Sequence, residues 1–491
     1  MNRSTLSLIA GVVALAAVTG FAAVSPPDTS GADTGEAAAR LPVERTSLVC
    51  PAPSTSDLAE TSYTSFTPVT KGADDKGKAE LAAATGQDGK KKTDKPVLRP
   101  KAPGTPVTGK TSGADAPALA GTAEGGYAPG WTVQQTTGVA AGTGRGLLGV
   151  DCTAPDTEFW FPGASTATGR TDYVHLTNPD DSAAVVDIEL YGKDGALKST
   201  VGEGITVPPH GSESLLLSTL SDVEQTDLTV HVGVRSGRVG AAVQALDDKT
   251  GGDWLTAAAD PASDLVLPGI PKDATAVRLV LFTPGGTDAD LKVRLAAPSG
   301  SITPAGHETV HVNAGGTTGV DLGAITRGEA GSLVLTPTAG SVPVVAAVRV
   351  VRGKGTEQES AFIPASRPVG ARATAADNRA KSTTLSLAAP EGEAKVRVTA
   401  SAGSEGGTTA TRTYTIKGGT TQDVEAPVPA GLEGAYALTV ETVSGGPVYA
   451  SRTLTDPEDD DAASFTVQTL SDDRGTVAVP KAEEDLSVLQ R

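Results

Sequence analysis

Residues 173–190 read YVHLTNPDDSAAVVDIEL. Val186, Ile188 and Leu190 alternate with Asp187 and Glu189. That period of two is the pattern of a strand with one buried and one wet face. The arrangement returns twice. Pro179, Pro284 and Pro390 stand 105 and 106 residues apart. After Pro284, Leu291, Val293 and Leu295 alternate with Lys292 and Arg294; after Pro390, Val396 and Val398 alternate with Lys395 and Arg397. A fixed period of this kind decides architecture before any single residue does.

Other blocks recur in the same order. Phe161-Pro162-Gly163, Leu267-Pro268-Gly269 and Ile363-Pro364-Ala365 open the three units. GITVPPHGSESLLL (204–217), VHVNAGGTTGVDL (310–322) and YTIKGGTTQDVEA (414–426) form their middles. Each unit closes on a hairpin with a Ser-Gly or Gly-Ser turn, at 227–245, 331–350 and 435–454. In the first unit, extended runs can be read at 159–161, 173–177, 185–191, 205–207, 214–218, 228–234 and 239–245. Seven short strands in ~100 residues is the size of an immunoglobulin-like sandwich, although no unit carries that superfamily's Cys-Trp-Cys arrangement.

The predicted fold is therefore all-β: three tandem immunoglobulin- or fibronectin-like β-sandwich repeats after an N-terminal membrane helix. The expected division is an anchor or signal peptide at 1–29, a first sandwich at 40–258, a second at 262–358, a third at 360–470 and a tail at 471–491. Residues 71–129 mix Lys, Ala, Gly, Thr and Pro without periodicity, and they read as a disordered insertion in the first sandwich.

Leu6 to Val24 carries no charge. Its 19 residues would span roughly 28 Å as a helix, close to the hydrocarbon core of a bilayer. Arg3 precedes it, which places the N-terminus in the cytoplasm and residues 30–491 outside. The rival reading is a signal peptide cut after Ala22, leaving a secreted chain. The two cysteines, Cys50 and Cys152, form an even pair in an exported chain and are expected to make one disulfide across the insertion.

The hydrophobic fraction of 38% supplies real cores, while aromatics at 3% leave them to Val, Leu, Ile and Ala. A net charge of −18 repels phosphate backbones, so no nucleic-acid partner is expected. The acidic run Asp456–Asp461 lacks the glycine and spaced glutamate of a calcium loop and reads as solvated.

Three motifs invite chemistry. His307-Glu308-Thr309-Val310-His311 matches the zinc-protease pattern, which needs both histidines one helical turn apart. The repeat places this stretch in a strand, where positions four apart lie ~13 Å from each other, so no metal is predicted. Gly144-Arg145-Gly146-Leu147-Leu148-Gly149 has dinucleotide-site spacing, but a strand follows it rather than a helix, so no cofactor is predicted. His175, His210 and His231 fall at different points of the repeat, and no nucleophile elbow is present, so no catalytic residue is assigned. Trp160 and Trp254, with Trp131 nearby, are a candidate sugar-stacking surface, although core or edge packing is the better reading of each.

The cysteine contexts SLVCPAP (47–53) and GVDCTAPDTEFWFPG (149–163), with YVHLTNPDDSAAVVDIELYG (173–192), give a resemblance over most of 40–470. The chain resembles an actinobacterial family of exported proteins catalogued as a domain of unknown function, DUF5719. The resemblance implies a cell-envelope location and brings no catalytic residues. The expected function is a non-catalytic extracytoplasmic scaffold or interaction module, tethered to the membrane by its N-terminal helix, with an envelope protein or glycan as partner. The alternatives are a carbohydrate-binding accessory to wall or polysaccharide assembly, and an enzyme with a dispersed site.

Overall fold

The computed structural model describes residues 39–84, 96–199, 201–456 and 464–479. The segment read as an anchor at 1–29, the lysine run at 90–95, residues 457–461 of the acidic run and the last part of the tail lie outside the described residues. Among the described residues the chain is β throughout, apart from 3₁₀ turns at Leu217–Thr219 and Gly355–Glu357. No described helix is long and apolar enough to cross a membrane. One small unit pairs Ala39–Pro42 with Thr476–Val479, which lies within the tail. The large unit spans Pro42–Gly475.

The alternation works as read. Val186, Ile188 and Leu190 are all at most 2% exposed. In Ala289–Ala297, buried Leu291, Val293 and Leu295 alternate with exposed Asp290, Lys292 and Arg294. Each inner face closes on a second sheet, and the large unit resolves into four sandwiches rather than three. In the second, Glu158–Ala164, Leu228–Ser236 and Ala184–Gly192 face Ser212–Leu216, Arg170–Thr177, Gly240–Asp247 and Gly251–Leu255. In the third, Leu265–Ile270, Gly331–Pro337 and Ala289–Ala297 face Thr317–Asp321, Ala276–Phe282, Val345–Arg352 and Glu359–Pro364. In the fourth, Ala373–Asn378, Tyr436–Gly445, Ala394–Gly403 and Ala410–Ile416 face Thr420–Val424, Thr383–Ala389, Tyr449–Thr455 and Phe465–Leu470.

The remaining sandwich precedes these and has the same strand order. Arg45–Cys50, Leu119–Gly125 and Gly77–Ala83 face Val107–Ser112, Ala59–Phe66, Thr132–Val139 and Gly146–Asp151. This corrects two expectations. The described part of 71–129 is not a disordered insertion, because three of these strands lie within it. The expected unit at 40–258 is two sandwiches with separate cores. The strands within 71–129 are built of Ala, Gly, Thr and Lys with few large apolar residues, and the facing sheet has a polar inner face. Thr61, Ser65, Gln135 and Thr137 are buried beside Tyr63 and Val133, where the other sandwiches carry aliphatic residues. Thr61 and Thr137 hydroxyls bond each other at 2.9 Å, and Trp131 Nε1 donates to Ser65 Oγ at 2.9 Å. A hydrogen-bonded core of this kind leaves no apolar alternation to read.

A third expectation also changes. Ile363-Pro364-Ala365 does not open the last sandwich. Glu359–Pro364 pairs with Val345–Arg352, with Ile363 opposite Val348, and so closes the third. The last sandwich opens at Ala373.

The four sandwiches form a closed ring. Their final strands, Gly146–Asp151, Gly251–Leu255, Glu359–Pro364 and Phe465–Leu470, each pack against the next, and the fourth returns to the first. Around them, the opening strand of each sandwich lies on a neighbour's second sheet. Glu158–Ala164 lies on Ala276–Phe282 and Val345–Arg352; Leu265–Ile270 lies on Thr383–Ala389 and Tyr449–Thr455. Ala373–Asn378 lies on Ala59–Phe66 and Thr132–Val139, and Arg45–Cys50 approaches Gly240–Asp247.

Candidate functional site

The ring brings one group from each sandwich to its axis. Asp253 is fully buried there. Its Oδ1 accepts the Gly149 N–H of the first sandwich at 3.1 Å and the Thr466 hydroxyl of the fourth at 3.1 Å. The Phe362 N–H of the third also points toward the carboxyl and favours its charged form. Burial pushes its pKa well above the ordinary carboxylate range, against the pull of these donors. Gly149 permits the approach, since a Cβ there would overlap the Gln468 amide and sit 2.7 Å from Thr466 Oγ1. The GxGxxG spacing thus serves close packing of backbone on side chain, and not a cofactor turn. Thr466 and Gln468, at 0% and 3% exposure, fill the rest of the axis, so the carboxyl is sealed from solvent and acts as a structural hub.

The two tryptophans singled out above are not brought together, and neither presents a face to solvent. Trp254 is 2% exposed and sits among Ala59, Val139, Leu148 and Val150 of the first sandwich. Trp160 is 7% exposed, and His231 and Phe282 stack on it with centroids at 3.9 and 5.4 Å. Trp131 belongs to the core of the first sandwich. A sugar-stacking surface on Trp160 and Trp254 is therefore corrected: outward-facing aromatics are buried when another sandwich covers that face.

Cys50 and Cys152 form the expected disulfide. It joins the opening strand of the first sandwich to the residue just after its final strand, instead of bracketing an insertion.

The histidines divide by surroundings. His311 lies in Thr309–Val312 and bonds Asp290 Oδ1 at 2.8 Å, with Asp288 Oδ2 at 3.6 Å from its other nitrogen. The Asp290 hydrogen bond raises its pKa. His307 lies in the turn before that strand. No described group of three or more His, Cys, Asp or Glu side chains is placed to hold a metal. His231 Nδ1 bonds Glu189 Oε2 at 2.8 Å, while Glu158 Oε1 stands 3.6 Å from Nε2. The two carboxylates thus flank opposite ring nitrogens and do not converge on one point.

Ser214 Oγ lies 3.0 Å from His175 Nδ1, which is nucleophile–base spacing. The imidazole is buried, however, and burial pushes its pKa down to about 4, so it is a weak base. The other ring nitrogen, Nε2, is buried and has no hydrogen-bond partner among the described residues. The triad's orienting acid is thus missing from its expected place. This pair makes a pH prediction. The folded pKa lies below the unfolded value of ~6.5, so the stabilisation is complete above pH ~6.5 and is lost as pH falls toward 4. Wild-type protein should lose roughly 3 kcal/mol more than a His175→Gln variant between pH 7 and pH 4. Denaturant melts at the two pH values read this difference, and parallel pH profiles would refute it.

The axial carboxyl and the seams were hidden in the sequence, because each donor comes from a different repeat. Gly251–Leu255 and Glu359–Pro364 are buried along their whole length, but Asp253 and Glu359 within them keep either from reading as an apolar run. Comparison with curated proteins finds no match. A family model described as "Family of unknown function (DUF5719)" matches residues 107–427, from the edge strand of the first sandwich to just past that of the fourth. With more than half of its length matched in this way, the chain belongs to the DUF5719 family.

Proposed function

We propose that this protein is a non-catalytic, extracytoplasmic scaffold: a ring of immunoglobulin-like sandwiches that holds a protein partner outside the membrane. The observation that carries this reading is the axis, where Asp253 is spent on joining four sandwiches and is closed to any substrate. A further buried polar group also sits in a seam. Arg349 Nη2 bonds Asp247 of the second sandwich at 2.8 Å, beside the fully buried Asp172. When the ring is closed its outer loops stand at fixed spacing, which lowers the entropy cost of binding a partner at several points. The uncharged segment Leu6–Val24 supports export and tethering. The carbohydrate-binding reading loses its motive with the burial of Trp160 and Trp254.

The test is cross-linking of the tagged full chain in membranes of its source cell, followed by recovery of partners. One envelope protein should be recovered in stoichiometric yield, and a second pull-down through that protein should return this chain. Failure to recover any partner in both directions, or hydrolysis of wall polymers by the purified chain, would reject the scaffold.

A further inference from the structure

Three of the four seams have one design, and the last has another. In the first three, a large aromatic from a final strand plugs the neighbouring sandwich. Trp254 of the second sits on the first, Phe362 of the third joins the core of the second, and Phe465 with Val467 of the fourth joins the core of the third. The seam between the first and fourth sandwiches would take its plug from Gly146–Asp151. The residue that faces the neighbour there is Gly149, against Gln468 and Thr466. The apolar contact at this seam is Phe66 against Ala376 and Ala437.

Polar groups take over the rest. Asp377 of the fourth sandwich accepts from Thr64 at 3.0 Å and Thr136 at 2.7 Å of the first, and its own N–H donates to Gln134 Oε1 at 2.8 Å. Gln134 Nε2 donates to Asp151 at 2.6 Å. Arg372 bonds Thr70 Oγ1 at 2.9 Å and Pro129 O at 3.3 Å. Behind them Arg452 is fully buried, at the position that Val243 and Val348 hold in the preceding repeats. One of its nitrogens donates to Asp377 O at 2.6 Å, while Nε and Nη2 have no hydrogen-bond partner.

The physics of the two designs differs. An apolar plug contributes in proportion to the area it removes from water. A buried polar network gives back most of its gain in desolvation, and a guanidinium with unmet donors is costly. Water entering a parted seam would meet those donors. This seam is also the one that chain connectivity does not bridge, since it joins the two ends of the large unit. We infer that the ring is a clasp: it opens reversibly between the first and fourth sandwiches while the other three seams stay shut.

Hydrogen exchange on the full chain, followed by mass spectrometry, tests the clasp without a mutation. Amides of Ala373–Asn378 should exchange ~10-fold faster than those of the matching strands Glu158–Ala164 and Leu265–Ile270. The comparison avoids the polar core of the first sandwich, because the fourth has an aliphatic core of its own. A second measurement uses spin labels on exposed sites. The pair Leu58 and Val443, across the clasp, should give two distance populations, and the pair Val223 and Ile302, in the second and third sandwiches, should give one. Equal protection of the three strands, or a single distance for both label pairs, overturns the clasp.

Discussion

A Trp254→Ala variant should lose about 3–5 kcal/mol of stability, as large buried aromatics do on truncation. The side chain belongs to the second sandwich, where it meets Ala242 and the His175 ring, but most of its apolar cluster, Ala59, Val139, Leu148 and Val150, lies in the first. The loss should therefore appear as a parting of these two sandwiches and not as melting of the second. The residue also follows Asp253, whose carboxyl gathers donors from the other three sandwiches. A cavity beside it loosens the axis as well. Denaturant unfolding followed by the fluorescence of Trp131 and Trp160 reads the effect. Trp254→Phe should recover more than half of the loss, because it refills much of the volume. A loss below ~1 kcal/mol in the alanine variant would show that the seam carries little of the stability.

The second large effect is expected at the disulfide. Cys50→Ser with Cys152→Ser should destabilise the first sandwich by about 2–5 kcal/mol, and the chain-entropy model for a loop of ~100 residues gives ~4.7 kcal/mol. The first sandwich has few other resources. Its apolar core is the smallest of the four and includes the two cysteines themselves. Gln135 and the Tyr63 hydroxyl are buried in it without partners, and burial raises the tyrosine pKa. The cross-link therefore stands in for aliphatic packing that the other sandwiches have. Reductant should lower the first thermal transition and leave the later ones in place. Identical melting curves with and without reductant would refute this role.

Much of the fold was legible from particular residues. Val186, Ile188 and Leu190, with their counterparts after Pro284 and Pro390, placed a wet-faced strand in each of three sandwiches. The pairing of Cys50 with Cys152 followed from there being two cysteines in a chain read as exported. The first sandwich escaped because Thr61, Ser65, Gln135 and Thr137 are buried by hydrogen bonding to one another or by enclosure, and a polar inner face has no hydrophobic period. One signal was present. Phe66-Thr67-Pro68 repeats Phe282-Thr283-Pro284, at the same place after the second strand of its sandwich.

The candidate site was not legible at all. Asp253, Gly149, Phe362 and Thr466 come from four sandwiches, and nothing in their local sequence links them. Sequence by itself determined that the chain is β, where many of its strands run, and which side chains face inward within each sandwich. Those follow from a backbone that sends successive side chains to opposite faces. Tertiary structure alone decided what the outward faces meet. Alternation defines a second face without specifying whether water or another protein surface covers it. Trp160, Trp254 and Phe362 are therefore outward-facing in their own sandwiches and buried in the ring.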